Sequence, residues 1–366
     1  MEEFNLLKKG LVLKKIVFTG GGTAGHVTPN IALISKLKEK DWHIEYIGSK
    51  YGIEKKLISQ IGITYHEIST GKLRRYFDIK NFTDPFKVIK GLFESYFFIR
   101  KIKPNLIFSK GGFVAVPVVI AGFLNRVPVI THESDITIGL ANKISIPLSK
   151  KVCLSFEELS KILPKEKTIY TGTPIRENLL NGNKENGLKI CGFNNEKPIL
   201  LIIGGSSGSE IINRELRKIL DKLLNIFQIV HICGKNNIDE SFNNLNGYKQ
   251  FEYLNEELAD IFAISNLILS RAGSNAIFEF LALKIPNLLI PLSKKSSRGD
   301  QILNAESFEH KGYSKVLFEE NLNEETLFNS ILKLYEQKDI YIEKMNQTEI
   351  KNSVEQIINL IEKYSN

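Results

Sequence analysis

The chain has little cysteine: three in 366 residues, Cys153, Cys191 and Cys233. They are scattered, odd in number and without metal-ligand spacing, which excludes a disulfide framework and points to buried thiols in a reducing compartment. No run is long enough to span a bilayer. The longest charge-free apolar stretch, residues 113–124, carries Pro117 and falls short of the about 20 residues a spanning helix needs. The first residues, Met1-Glu2-Glu3-Phe4, are acidic and lead to no small-residue cleavage site, so the expectation is a chain without a secretory signal that stays in the cytosol. No zinc spacing, helix-turn-helix pattern or stacking platform supports nucleic-acid binding. No Asp-x-Asp pair offers a divalent-metal site.

What is present is an ordinary globular composition, 43% hydrophobic and 25% charged, with a length that implies two domains. Positive charge is unevenly placed: residues 72–110 hold 10 Lys/Arg against 3 Asp/Glu and are rich in aromatics. Two readings fit this segment. Arg74, Arg75, Phe77, Phe86, Lys87 and Lys90 suit a surface on anionic lipid, where each cation contributes about 1 kcal/mol. Alternatively Phe86, Ile89, Phe93, Tyr96 and Phe97 mark the inner face of a buried helix, with Lys87, Lys90 and Lys101 solvated.

Apolar β-branched runs alternate with helical patterns, which predicts α/β architecture with parallel strands buried on both faces. The strands expected are 15–19, 43–47, 106–109, 127–131 and 151–154, then 199–203, 227–232, 267–270 and 287–290. The polar segment from Asn181 reads as a connector. Domains of residues 14–171 and 172–345 follow, with a last amphipathic stretch, about 346–366, that can pack back on the first.

Two glycine turns join a strand to a helix: Gly20-Gly21-Gly22-Thr23-Ala24-Gly25-His26 and Gly204-Gly205-Ser206-Ser207-Gly208. Such a turn presents backbone N–H groups to an anion, and the helix N-terminus adds roughly half a positive charge. Gly20, Gly22 and Gly25 also satisfy the dinucleotide fingerprint, but that fingerprint needs an acid at the end of the second strand, and Ile47-Gly48-Ser49 has none. His26 reads as a residue of the first helical turn, kept neutral by the helix N-terminus and able to act as a general base. Lys110-Gly111-Gly112-Phe113, Thr131-His132-Glu133-Ser134-Asp135 and Ser270-Arg271-Ala272-Gly273-Ser274-Asn275 fall after strands, where α/β folds bind ligands.

These motifs, with Gly172-Thr173-Pro174-Ile175-Arg176, the run from Arg271 to Glu279, and Asp300-Gln301-Ile302-Leu303-Asn304-Ala305, occur in one order and closely resemble the MurG family, the lipid-linked N-acetylglucosaminyltransferases of peptidoglycan synthesis. The resemblance implies a GT-B glycosyltransferase fold, two Rossmann-like domains with an interdomain active-site cleft. It implies inverting transfer from UDP-N-acetylglucosamine to lipid I, an undecaprenyl-pyrophosphate-linked muramyl peptide, giving lipid II. On that pattern Arg176 and Ser206 meet the donor pyrophosphate, Leu254 the uracil, Ser274, Asn275, Ala276 and Glu279 the phosphate and ribose, and Gln301 and Asn304 the sugar. Thr23, Ala24, Gly25 and Asp135 complete the donor side. Gly20, Gly21, Gly22, Gly111, Gly112, Phe113 and His132 face the acceptor.

His26 is the first choice of base, with Glu133 or Asp135 in reserve. No obligatory cofactor or metal is implied, since Arg176 and helix N-termini can stabilise the leaving UDP. The expected place is the cytoplasmic face of the inner membrane, peripherally, on anionic inner-leaflet lipid and beside other cell-wall synthesis proteins. Two departures stand out: Asp135 replaces a usual Asn, and Phe113 a usual Tyr. Alternatives are a UDP-N-acetylglucosamine epimerase-like isomerase and, from the glycine spacing alone, a nicotinamide-dependent oxidoreductase.

Overall fold

The computed structural model describes residues 13–71, 80–194, 196–205, 208–294, 299–348 and 353–365. The chain divides after Arg176 into two compact units, and the last helix, Ser353–Tyr364, belongs to the first of them. The first unit is built on β1 (Lys15–Thr19), β2 (His43–Ser49), β3 (Thr64–Ile68), β4 (Leu106–Ser109), β5 (Val129–Glu133), β6 (Lys151–Leu154) and β7 (Thr168–Tyr170). Their order is β3-β2-β1-β4-β5-β6-β7, with all pairs parallel.

The second unit holds β8 (Ile199–Ile203), β9 (Gln228–Ile232), β10 (Tyr248–Phe251), β11 (Leu267–Ser270), β12 (Asn287–Leu289) and β13 (Ser314–Val316). These lie in the order β10-β9-β8-β11-β12-β13, again all parallel. Two parallel α/β sheets are the architecture that alternating strand and helix patterns predict.

Both faces of each sheet are covered, which is why the central strands carry continuous apolar runs. Ile16 and Phe18 point to one side and pack with Leu33, Ile34 and Leu37 of the helix Thr28–Lys38, and with Ile357 and Ile361 of the last helix. Val17 points to the other side, against Ile99 and Ile102 of the helix Lys80–Ile102 and Val118 of the helix Ala115–Leu124. In the second unit Leu200 and Ile202 pack with Ile212, Leu216, Leu327 and Ile331. Each such side chain, fully buried, contributes roughly 1.5–3 kcal/mol. The three cysteines are buried free thiols, as expected from their spacing.

The strand order reverses between β1 and β4 in one unit and between β8 and β11 in the other. Ligands of open α/β sheets sit outside the strand C-termini at such switch points. The loops there are 20–26 and 110–113 in the first unit, and 204–208 and 271–273 in the second.

Three expectations change. β5 begins at Val129 rather than Val127, because Val127 N–H closes the preceding helix on Gly122 O at 3.0 Å and Pro128 has no N–H to pair. His132 and Glu133 are therefore inside the strand, not after it. Second, β3, β7, β10 and β13 are additional strands, all at sheet edges. Third, the helix Lys80–Ile102 does not bury the stripe once read as its inner face. Phe86, Ile89, Phe93 and Phe97 are 75, 53, 60 and 65% exposed, while Tyr96 and Ile99 pack on the core. Arg74, Arg75 and Phe77 lie outside the described residues.

Candidate active site

Each unit carries a group of candidate site residues at its own switch point. In the first unit the glycine turn and the 111–113 loop interlock. A Cβ on Gly112 would stand 2.3 Å from Gly21 O and 3.1 Å from the His26 ring, and one on Gly22 would stand 2.5 Å from the Phe113 ring. Gly22, at φ +88°, and Gly112, at φ +81°, also need backbone that side chains rarely adopt. Gly111 packs in turn against Asn142, whose side-chain amide a Cβ there would meet at 2.8 Å.

An unanticipated carboxylate organises the first turn. Glu54, five residues past β2, is fully buried and accepts hydrogen bonds from Gly22 N at 3.2 Å, from Ser49 N at 3.2 Å and from Ser49 Oγ. It lies directly under Gly21, where a Cβ would meet its carboxyl carbon at 2.5 Å. Gly20 O accepts from Tyr46 Oη at 2.6 Å. Of the expected cradle Gly20, Gly21 and Gly22, the N–H of Gly22 is taken by the protein's own carboxyl group rather than left for a phosphate. Glu54 is also the nearest substitute for the missing dinucleotide acid, and its complete burial rules out a ribose contact.

His26 ends a single tight turn, Ala24–His26, and precedes the helix Thr28–Lys38 rather than starting it. Thr23 and Gly25 are exposed and Ala24 half-buried beside it. The imidazole is neutral, though not because of the helix: burial, reinforced by the Lys110 ammonium, pushes its pKa down to about 4. Its Nδ1 is buried with no hydrogen-bond partner among the described residues, leaving a ring nitrogen still to be satisfied.

The end of β5 is a buried polar cluster. Glu133 accepts from Ser134 N at 2.9 Å, Asp135 N at 3.2 Å, Gly139 N at 3.0 Å and Asn142 Nδ2 at 2.9 Å. Burial raises its pKa to about 6. Both of its oxygens anchor the loop, so it is not placed to take a substrate proton, which corrects its reserve role as base. His132 is fully buried, bonded through Nε2 to Gly172 O at 3.0 Å and through Nδ1 to Lys110 Nζ at 2.8 Å. It braces the loops rather than touching an acceptor, a second correction. Asp135 is half-buried at the end of this cluster.

In the second unit a cavity of about 590 Å³ opens at the ends of β8 and β11. Three helix N-termini border it: Glu210 of Glu210–Lys218, Ala276 of Ser274–Leu283, and Gln301 of Asp300–His310. These N-termini add partial positive charge to a lining that also holds the Arg271 guanidinium and the Glu210 and Glu319 side chains. Gly205, at φ +90°, is exposed and has nothing within 4 Å of its Cβ position, whereas a Cβ on Gly208 would meet Cys233 O at 1.9 Å. Gln301 accepts from Leu292 N at 3.1 Å.

Ser274 is buried in the first turn of its helix, with Asn275 and Glu279 half-buried on the same helix. Asn304 is fully buried and donates to Ala272 O at 3.3 Å. Leu254, buried after β10, does not line the cavity. Arg176, the last residue before the division into the second unit, is half-buried with its Nε lacking a partner among the described residues, and Ser206 lies outside the described residues.

Glu54 was missed as a functional position. It follows the strand by five residues on a helix and carries no local signal of burial. Lys110 was read at a strand end, but its burial was not.

Two parallel doubly wound units, each with a glycine turn at its switch point, are the Rossmann-like halves on which two-domain glycosyltransferases are built. Residues 16–154 match the glycosyltransferase family 28 N-terminal domain and residues 199–361 its C-terminal domain. The chain belongs to glycosyltransferase family 28. It is 60% identical over 351 residues to the UDP-N-acetylglucosamine–N-acetylmuramyl-(pentapeptide) pyrophosphoryl-undecaprenol N-acetylglucosamine transferase of Clostridium tetani, covering 96% of this chain and 98% of that one.

The fold matches the crystal structure of Acinetobacter baumannii MurG with a TM-score of 0.75 at 22% identity, over 96% of this chain and 99% of that one. The Neisseria meningitidis UDP-GlcNAc 2-epimerase shares the fold at a TM-score of 0.66 and 15% identity, over 95% of this chain and 100% of that one. That likeness is one of fold alone.

Proposed function

We propose that this chain transfers N-acetylglucosamine from UDP-N-acetylglucosamine to lipid I, giving lipid II and UDP with inversion at the anomeric carbon. The observation that carries the donor half is the convergence of three helix N-termini on the second unit's cavity. There the diphosphate of a nucleotide sugar finds helix N–H donors and the Arg271 guanidinium, with Glu210 and Glu319 also in the lining. As the bond from the anomeric carbon to the diphosphate oxygen breaks, charge grows on UDP, and fixed dipoles stabilise it without reorganising. Arg176, with its unpartnered Nε, is suited to the same anion. On the first unit, neutral His26 accepts the proton of the attacking sugar hydroxyl.

In this reading no divalent ion is obligatory. Purified protein given UDP-N-acetylglucosamine releases UDP only when a lipid I analogue is present, and EDTA leaves that rate within about twofold. Acceptor-independent epimerisation of the donor overturns the transferase reading in favour of an isomerase.

No helix among the described residues is long and apolar enough to cross a membrane. We place the chain peripherally on the cytoplasmic leaflet through the exposed stripe Phe86, Ile89, Phe93 and Phe97, flanked by Lys87 and Lys90. Positions i, i+3, i+7 and i+11 share one helix face, so four apolar groups can enter the interface together. Exchanging Phe93 and Phe97 for serine weakens co-sedimentation with anionic vesicles by roughly 10-fold or more, since burying a phenylalanine is worth about 1.5–3 kcal/mol. Unchanged vesicle binding returns the stripe to an unassigned surface.

A further inference from the structure

The buried carboxyl group of Glu54 has no part in the chemistry proposed for His26. It stands in the first turn of the helix Ile53–Gln60, fully buried, with no lysine, arginine or histidine partner among the described residues. Backbone and hydroxyl donors hold it instead. Oε1 accepts from Ser49 N at 3.2 Å and from Ser49 Oγ, and Oε2 accepts from Gly22 N at 3.2 Å. Ser49 is itself fixed, because its carbonyl accepts from Tyr65 Oη of β3 at 2.7 Å.

The bond from Gly22 orients one peptide unit. In a trans peptide the N–H and C=O point opposite ways, so an N–H turned down to Glu54 turns the Gly21 carbonyl toward the 111–113 loop. There Gly21 O stands 2.3 Å from the Cβ position of Gly112, and that position is 3.1 Å from Cδ2 of the His26 ring. Gly22 is exposed, yet its N–H faces inward. Reversing this peptide would set the Gly21 carbonyl against the carboxyl group, oxygen on oxygen, and withdraw it from Gly112. The Gly20 carbonyl just before it accepts from Tyr46 Oη at 2.6 Å, so the turn is fastened on both sides.

We propose that Glu54 is a positioning residue for transfer: it latches the Gly21–Gly22 peptide, N–H to its carboxyl group and C=O to Gly112, and through Gly112 sets where the His26 ring meets the acceptor hydroxyl. The inference rests on the transferase reading above. Such a latch acts on the chemical step, because displacing a base by about 1 Å costs on the order of 10²-fold in rate. It does not act on the donor cavity, which the second unit forms from its own residues.

Two substitutions release the latch by different routes. Glu54→Leu keeps most of the volume and removes both acceptor oxygens. Gly52→Ala keeps the carboxyl group and displaces it, since the new methyl would stand 2.1 Å from Oε1, at the far end of a flexible side chain. Gly52 lies at φ −80°, which alanine adopts freely. In the full-length protein, with UDP-N-acetylglucosamine and a soluble lipid I analogue, each lowers kcat by roughly 10- to 100-fold and leaves UDP binding within about twofold. The acid limb of kcat/KM stays where the unsubstituted protein has it, because the base is still His26. Ile58→Ala is the control: it removes a core side chain of the same helix, so the melting temperature falls while kcat stays within about twofold.

A merely structural Glu54 would behave as that control does. A kcat within about twofold of normal in Glu54→Leu, or a kcat loss that Ile58→Ala reproduces at an equal fall in melting temperature, overturns the proposal. Loss of the acid limb also overturns it, because Glu54 would then be the proton acceptor itself. Acceptor-dependent UDP release by the unsubstituted protein is measured in the same series, so failure of the transferase reading shows separately. Should Glu54→Leu not fold, Gly52→Ala decides on the same terms.

Discussion

Replacing His26 by alanine lowers turnover by roughly 10²- to 10⁴-fold and leaves UDP binding within about threefold. The split is expected because the two groups of site residues belong to different units: His26 closes the turn after β1, while the cavity with three helix N-termini is formed within the second unit. Stability should change little, since the buried His26 Nδ1 makes no hydrogen bond among the described residues that alanine would lose.

A pH profile identifies the base independently. A base must be unprotonated, so kcat/KM holds above its pKa in the free enzyme and falls as pH drops through it. With His26 as base the acid limb lies near pH 4; with Glu133 it would lie near pH 6. Turnover in His26→Ala within threefold of normal, with an intact melting transition, moves the role to Asp135, because the oxygens of Glu133 are engaged by four donors.

The neutrality of that histidine was legible in the sequence, but its cause was not. A helix N-terminus was the visible candidate, whereas burial and a lysine 84 positions away do the work, and long-range proximity leaves no mark on local pattern. The strands show the same division. Every strand flanked on both sides was readable from the sequence, most of them as apolar runs, because burial on two faces favours such runs.

The four that were missed, β3, β7, β10 and β13, are the sheet edges. Thr64–Ile68 reads Thr-Tyr-His-Glu-Ile and Thr168–Tyr170 is partly exposed throughout, so neither announces itself by hydrophobicity. Glu54 was hidden for a third reason. Its role comes from three glycines, Gly21, Gly48 and Gly52, leaving room around one carboxylate, and only the fold brings them together. The aromatic stripe of residues 86–97 carried two meanings of equal standing until exposure separated them, since helical spacing gives a face but not the side on which the core lies.

Arg271→Met should melt the second unit about 6–20 °C lower and abolish UDP binding, the largest stability effect expected in the chain. Arg271 follows β11 and is 8% exposed. Its Nη1 donates to Ile290 O at 3.1 Å and reaches Pro291 O at 3.4 Å, its Nη2 donates to Ser209 Oγ at 2.8 Å, and Glu319 Oε2 stands 2.5 Å from Nη1. One planar guanidinium therefore fastens the ends of β8, β11 and β12 and the turn after β13, which together shape the cavity.

Removing it leaves two strand-end carbonyls without this donor and leaves the carboxylate of Glu319, mostly buried, without its countercharge. Breaking one side of a buried pair costs about 3–5 kcal/mol, and for a unit of this size each kcal/mol shifts the midpoint by about 2–4 °C. Lysine is no substitute, because a point charge cannot span donors set in a fork. If the orphaned charge dominates the loss, Arg271→Met with Glu319→Gln regains at least half of the lost stability, while UDP binding stays weak because the loop ends are still unfastened. A double variant no more stable than Arg271→Met shows that the lost hydrogen bonds outweigh the unpaired carboxylate. A single variant melting within 2 °C of the parent refutes the bracing role itself.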